Sequence, residues 1–267
     1  MFGTLPPPVG GVTISVKNLT KALTCKGVFV RFISLKMFSF KRYDIAHVHC
    51  YSSWKRLLLL LVGRLLAKRN VFTIHGMHYP PISMLSQVNL WLTDGVVVLN
   101  DDILVVAPIL KSKPYLKCTS IVSEGLDDLE VTTGNLLPES SKPRLLLYAQ
   151  HANSFEGQAI YGVPFIQKLL PRLIENYTLV FADVTNSYPE MAKFKNEDVI
   201  HLSKAVNFRQ LLSEVDVYIR PTSKDGDAVS IHEALICDTP VLASDVVERP
   251  ESVVCYEYLN EVDFLEK

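Results

Sequence analysis

Short runs of Val, Ile and Leu recur along the whole chain, separated by stretches of helical spacing, and this alternation constrains the fold more than any other feature. In the first half the apolar runs are Ile45–Cys50, Val71–Ile74, Val96–Leu99 and Cys118–Val122. In the second half they are Arg144–Ala149, Thr178–Ala182, Val199–Leu202, Val215–Arg220 and Pro240–Ala243. Helical stretches near Ser53–Lys68, Val163–Asn176 and Phe208–Glu214 lie between them. A strand that is apolar at successive positions is buried on both faces, and such strands joined by helices form parallel sheets covered on both sides. The pattern predicts an α/β fold, and no internal repeat or low-complexity tract interrupts it.

Charge divides the same chain in two. Residues 1–138 hold 15 Lys/Arg and 8 Asp/Glu, a balance of +7, whereas residues 139–267 hold 12 and 20, a balance of −8. The change falls near Leu137-Pro-Glu-Ser-Ser-Lys-Pro143, a polar, proline-bearing stretch that suits a linker. Two domains are expected, 1–138 and 139–267, and 267 residues suffice for two cores. A hydrophobic content of 48% excludes a disordered chain. Between Lys17 and Arg69 there are 12 basic residues against the single acid Asp44. Such a half favours an anionic partner, either a membrane surface or a phosphorylated lipid; the alternative is a solvated basic face.

The run Leu57–Val62 is too short to cross a bilayer and is flanked by Lys55, Arg56 and Arg64. It reads as a helix covering a sheet, with basic flanks suited to contact with an anionic membrane. No signal-peptide pattern follows Met1. Cys25, Cys50, Cys118, Cys237 and Cys255 are scattered without C-x-x-C spacing, which argues against a disulfide framework or a zinc site. A cytoplasmic protein is expected, with peripheral contact at the inner face of the cytoplasmic membrane and with no bound metal.

The segment Arg220-Pro-Thr-Ser-Lys-Asp-Gly-Asp-Ala-Val-Ser-Ile-His-Glu-Ala-Leu235 carries the chemistry. It places Asp225 in a polar loop and Glu233 in a short helix, between two buried strands. In an open α/β sheet, ligands bind outside the carboxyl ends of the strands. Carboxylates there accept hydrogen bonds from sugar and ribose hydroxyls, while the helix N-terminus favours phosphate. Arg220, at a strand end, suits a phosphate contact. The competing reading makes Asp225-Gly226-Asp227 a tight turn with a helix cap and Glu233 an ordinary exposed helix residue.

Gly10 and Gly11 precede the helical spacing of Val12–Leu19, where glycine lets the backbone approach a ligand. The pattern is not G-x-G-x-x-G, so the dinucleotide fingerprint is absent. His49 and His75 end two strands, where a neutral imidazole can donate or accept a hydrogen bond. The alternative makes each a structural histidine bonding a loop carbonyl. His47 is assigned to the opposite face of its strand and to packing, and His78 is left unassigned.

The acid-x7-acid spacing of Asp225 and Glu233, with Ala234-Leu235 and Thr239-Pro-Val-Leu-Ala-Ser244, resembles retaining glycosyltransferases of family 4. Gly3-Thr-Leu-Pro-Pro-Pro-Val-Gly-Gly-Val-Thr13, Asp44-Ile-Ala-His-Val-His49 and Thr73-Ile-His-Gly76 agree in order. The resemblance implies the GT-B fold: two Rossmann-like domains whose parallel sheets face a central cleft. It implies transfer, with retention, from a nucleotide diphosphate sugar as substrate, with no cofactor, to a glycan or lipid-linked acceptor. No nucleic-acid partner is expected. His75 would lie beside the transferred sugar. Asp225, with Gly226 and Asp227, would face the donor sugar, Glu233 the ribose, and Gly10 and Gly11 the donor phosphates or sugar. His49 is expected on the acceptor side. The motif wording is similar to bacterial surface-polysaccharide transferases, hence capsule or O-antigen assembly.

Two departures stand out. The family carries Arg and Lys after the first strand of its second domain, whereas Tyr148-Ala-Gln-His-Ala-Asn-Ser-Phe-Glu-Gly-Gln158 has neither. His151, Arg220, Lys224 or backbone amides would have to compensate. Only Met1 and Phe2 precede the Gly3 loop, and the usual closing helix is missing after Tyr256–Lys267, as expected of a truncated or compact variant. The alternatives are therefore a weak or inactive GT-B relative that binds nucleotide sugar or a partner protein, and an epimerase or phosphorylase of similar shape.

Overall fold

The structure is a computed structural model that describes residues 1–6, 10–33, 41–50, 52–76, 83–122, 134–155, 157–194, 196–204 and 206–267. His78, Glu156 and positions 7–9 of the first glycine-bearing motif lie outside the described residues. The chain forms two compact units: Met1–Val122 with Gly226–Val229, and Ser123–Asp225 with Ser230–Lys267.

The first unit is built on four parallel strands in the order β1 (Tyr43–His49), β2 (Ala67–Ile74), β3 (Gly95–Val98) and β4 (Tyr115–Lys117). Its helices are α1 (Gly11–Cys25), α2 (Ser53–Leu66), α3 (Met84–Trp91) and α4 (Asp102–Val106). Phe2 bridges Val48 in parallel and seats the N-terminal segment beside β1. Phe2, Val48, Leu60, Phe72 and Val98 form the dry centre. The buried side chain of Asn70 donates to the carbonyls of Leu60 (2.8 Å) and Leu92 (3.1 Å), which ties β2 to α2 and to the end of α3. The apolar run Cys118–Val122 lies just beyond β4. The strand itself is the exposed Tyr115-Leu-Lys, because among the described residues β4 pairs with β3 alone and carries little apolar signal.

The second unit is a six-stranded parallel sheet in the order β12-β11-β10-β5-β8-β9. The strands are β5 (Arg144–Ala149), β8 (Thr178–Asp183), β9 (Val199–Leu202), β10 (Val217–Arg220), β11 (Val241–Ser244) and β12 (Val254–Tyr256). A small hairpin, β6 (Ser154–Phe155) and β7 (Gln158–Ala159), follows β5. From β5 the chain builds outward through β8 and β9, then returns to the other side of β5 through β10, β11 and β12. This is the doubly wound order, with its switch point between β5 and β10. The helices are α5 (Val163–Asn176), α6 (Phe208–Ser213), α7 (Val229–Ile236) and α8 (Glu261–Glu266). On α5, Phe165, Ile166, Leu169, Leu170 and Leu173 form one apolar stripe and are buried with the sheet.

Candidate functional site

The second unit's switch point is where a doubly wound sheet leaves room for a ligand, and the residues around it are chemically loaded. β10 ends at Arg220, and its loop folds back so that Asp225 meets the guanidinium as a fork: Nε to Oδ2 at 2.6 Å and Nη2 to Oδ1 at 3.0 Å. Arg249, just after β11, donates through Nη1 to the same Oδ2 at 2.9 Å. It also donates to the Thr222 hydroxyl (3.3 Å) and the Ser244 carbonyl (3.3 Å). The side chains of Arg220, Asp225 and Arg249 are only 11%, 9% and 3% exposed. Burial works against the Asp225 carboxylate, but the guanidiniums of Arg220 and Arg249 outweigh it and hold the acid well below the usual range. Among the described residues these two guanidiniums meet one carboxylate, an excess of one positive charge in a nearly dry place.

Glu233 sits one turn into α7, with Oε1 3.7 Å from Nε of Arg209. Burial pushes its carboxyl up to about 7 against the pull of that guanidinium. At neutral pH it therefore stands between accepting and donating a hydrogen bond. Tyr218 Oη joins Ser230 Oγ (2.9 Å) and accepts from Arg220 Nη1 (3.2 Å), which ties the strand end to the first turn of the helix. Burial raises the phenols of Tyr148 and Tyr161, so both remain protonated donors.

Gly162 has φ +62, and a Cβ there would collide with the Pro221 carbonyl. Only glycine lets the turn before α5 lie against the Asp225 loop. In the stretch 148–158, His151 is exposed. Lys224 holds its ammonium 3.5 Å from the centroid of the Phe155 ring.

Arg209 and Arg249 were not legible from local spacing. Arg249 has one sequence signal, its place just past a buried strand. Arg209 is the second residue of a short helix capped by Asn207, and nothing in its neighbourhood marks it out.

In the first unit, β1 and β2 bring three histidines together. Nδ1 of His49 lies 2.9 Å from Nε2 of His75, and Nε2 of His47 lies 2.7 Å from the Thr73 hydroxyl. His47 is not on the opposite face from His49: their ring centroids are 4.1 Å apart. The side-chain period of a strand is 2, so positions 47 and 49 share a face. Burial, reinforced by neighbouring positive charge, lowers His47 and His75 to about 4 and His49 further, so all three are neutral. Nε2 of His49 is buried with no hydrogen-bond partner among the described residues.

Gly10 is the extended N-cap of α1, with no side-chain cap on that helix, and a Cβ on Gly11 would meet nothing within 4 Å. Gly226 groups with this unit and its carbonyl accepts from Asn100 Nδ2 at 3.0 Å. A Cβ on Gly226 would approach the His75 carbonyl at 2.5 Å, so the close passage requires glycine. The Asp227 carboxylate accepts from the Ser120 amide, and its carbonyl accepts from the Ser120 hydroxyl at 2.6 Å. Both bonds run to a residue 107 positions away in the chain, so they tie this segment to the stretch after β4. Among the described residues, no group of three His, Cys, Asp or Glu side chains is placed to hold a metal ion, and no helix is long and apolar enough to cross a membrane.

No family model matches the sequence, and no curated protein matches it. Solved structures do match the fold. A mutant of S. aureus TarM bound to fondaparinux, α-GlcNAc-glycerol and UDP shares 12% identity at a TM-score of 0.61, over 87% of this chain and 49% of that one. This chain thus spans about half the length of TarM. HepE of Anabaena bound to UDP shares 12% identity at a TM-score of 0.63, over 99% of this chain and 86% of that one. Sucrose-phosphate synthase of Thermosynechococcus elongatus shares 12% identity at 0.62, over 98% and 69%. These are GT-B glycosyltransferases, and at such identity the likeness speaks for the fold: α/β, GT-B, with two parallel sheets.

Proposed function

We propose that the protein is a glycosyltransferase that moves a sugar, with retention, from a nucleotide diphosphate sugar to a glycan or lipid-linked acceptor. The pathway proposed is assembly of a bacterial surface polysaccharide, capsule or O-antigen, next to an anionic membrane in the cytoplasm. The observation that carries this reading is the cluster at the β5/β10 switch point, where a dry patch of excess positive charge is followed by Glu233 on the next helix. A diphosphate needs cationic neutralisation and a ribose needs a hydrogen-bond acceptor, and the cluster offers both kinds of group.

In this reading Arg220 and Arg249 take the part of the Arg and Lys that stretch 148–158 lacks. Glu233 accepts from the ribose hydroxyls, and Asp225 holds the two guanidiniums and meets the donor sugar. The amides at Gly10 and Gly11 favour donor phosphate, His75 bonds the transferred sugar, and His49 orients His75 on the acceptor side. Transfer breaks the bond from the anomeric carbon to the leaving phosphate oxygen and forms one to the acceptor oxygen on the same face. The acceptor proton passes to the leaving diphosphate, so no cofactor and no metal enters the balance. Stabilising charge on the departing diphosphate is worth about 10²–10³ in rate per donor group.

The second reading, a weak or inactive relative that binds nucleotide sugar, is favoured by the full pairing of Asp225. Titration with uridine, guanosine and adenosine diphosphates, followed by assays for nucleotide release from the matching sugars, separates the readings. Binding with slow hydrolysis is expected of the transferase, and binding without any turnover supports the relative. No binding to any of the three rejects both.

A further inference from the structure

Helix α2 is apolar on two faces, and among the described residues the core takes up one of them. Leu60, Gly63 and Leu66 turn into the core, where a Cβ on Gly63 would collide with Asn70. On the other side Trp54, Leu58, Leu61 and Leu65 recur at i, i+4, i+7 and i+11, and all four are exposed. The neighbouring α3, joined to α2 by Asn89 Nδ2 donating to the Ser53 carbonyl at 3.1 Å, exposes Met84 and Trp91. Trp54 is 70% exposed and Trp91 75%, and these are the chain's two tryptophans. A soluble surface rarely gathers large apolar side chains on two packed helices without a use for them.

The surrounding charge selects the partner. Lys55 and Arg64 lie on α2, and Lys68 and Arg69 begin β2. Asp94 pairs with Arg64 (3.1 Å) and Arg69 (3.7 Å), and Asp44 with Lys68 (2.7 Å), so four cations meet two acids. The whole unit holds 15 Lys/Arg against Asp44, Asp94, Asp101, Asp102 and Asp227, a balance of 15 − 5 = +10. A second copy of this surface would set like charge against like charge. The core of a protein–protein interface is depleted of lysine, whereas here cations are interleaved with the apolar stripe. Indole rings and leucines at headgroup depth, with lysine and arginine reaching to lipid phosphates, are the chemistry of a helix lying in an anionic membrane interface.

We infer that the outward face of α2 and α3 docks on an anionic lipid surface, with Trp54, Leu58, Leu61, Leu65, Met84 and Trp91 entering the interface. This deepens the membrane-contact part of the proposed function and rests on it for its purpose: placing the acceptor-binding unit against lipid-borne acceptors.

The two tryptophans make the test direct, because the whole indole emission reports this face. The chain is mixed with vesicles of phosphatidylcholine alone, or with phosphatidylglycerol added, and followed by flotation and by emission wavelength. A blue shift and flotation with the anionic vesicles are expected, falling on the order of tenfold without phosphatidylglycerol and falling again with added salt. A Leu61→Ser/Leu65→Ser variant, with far-UV circular dichroism and urea midpoint as in the parent, is expected to lose binding by on the order of tenfold or more. No shift with anionic vesicles overturns the inference. So does undiminished binding by the variant, or an emission shift that tracks protein concentration without vesicles, which would mark a second copy on this face. Titration of the same samples with nucleoside diphosphates keeps the two proposals apart. Lost vesicle binding with intact nucleotide binding rejects only the docking, and the reverse rejects only the transferase reading.

Discussion

Glu233→Gln tests the site through a quantity the structure sets. Burial lifts the Glu233 carboxyl from 4.5 to about 7. Each tenfold change in proton affinity corresponds to about 1.4 kcal/mol, so the rise amounts to about 3 kcal/mol. The folded form binds the proton more tightly than the unfolded form. The contribution to stability is therefore fully present below pH 4.5 and is lost as pH rises through about 7. Glutamine keeps the shape and cannot ionise, so the variant escapes that loss. Urea unfolding of both proteins at about pH 5 and about pH 8.5 should show the variant gaining about 2–3 kcal/mol on the wild type between the two conditions. Other titrating groups are common to both proteins and cancel in the difference. The same variant should bind the preferred nucleoside diphosphate roughly tenfold more weakly, because an amide replaces the acceptor meant for the ribose. A stability difference that does not change with pH would refute the argument that Glu233 is a buried, proton-holding acid.

Asp225→Asn should cost about 3–5 kcal/mol in urea unfolding, because it leaves the Arg220 and Arg249 guanidiniums buried against a neutral group. Gly162→Ala should destabilise by more than about 2 kcal/mol and weaken nucleotide binding, since a Cβ at φ +62 strikes the Pro221 carbonyl beneath the Asp225 loop; calorimetry reads both effects. His47 and His75 are lowered from 6.5 to about 4, chiefly by burial. Their contribution is present above pH 6.5 and lost as pH falls through about 4, so His75→Gln should flatten the acid side of a plot of urea midpoint against pH.

β5 and β8 of the second unit were legible because they are buried on both faces, and burial on both faces writes an uninterrupted apolar run. β12 and β4 escaped that rule. Val254 and Cys255 are exposed on an outer strand, and Tyr115-Leu-Lys is exposed throughout. The loop-and-helix placement of Asp225 and Glu233 was readable from the strands on either side. Their partners were not, because Arg249 lies 24 residues from Asp225, Arg209 lies 24 residues from Glu233, and no local spacing encodes either pair. The shared face of His47 and His49 was available from the strand period alone, without any coordinates.

The amino-acid order alone thus determined an α/β chain with parallel sheets, its charge asymmetry, and the stretch where the acids fall, because periodicity and composition are local properties. Folding decided the rest. The β12-β11-β10-β5-β8-β9 strand order brings the ends of β5 and β10 side by side, and the return of β11 carries Arg249 onto Asp225. The same packing leaves Trp54, Leu58, Leu61 and Leu65 of α2 exposed. Burial then set the protonation of Glu233 and of the three histidines, because desolvation depends on everything packed around a group rather than on its neighbours in the chain.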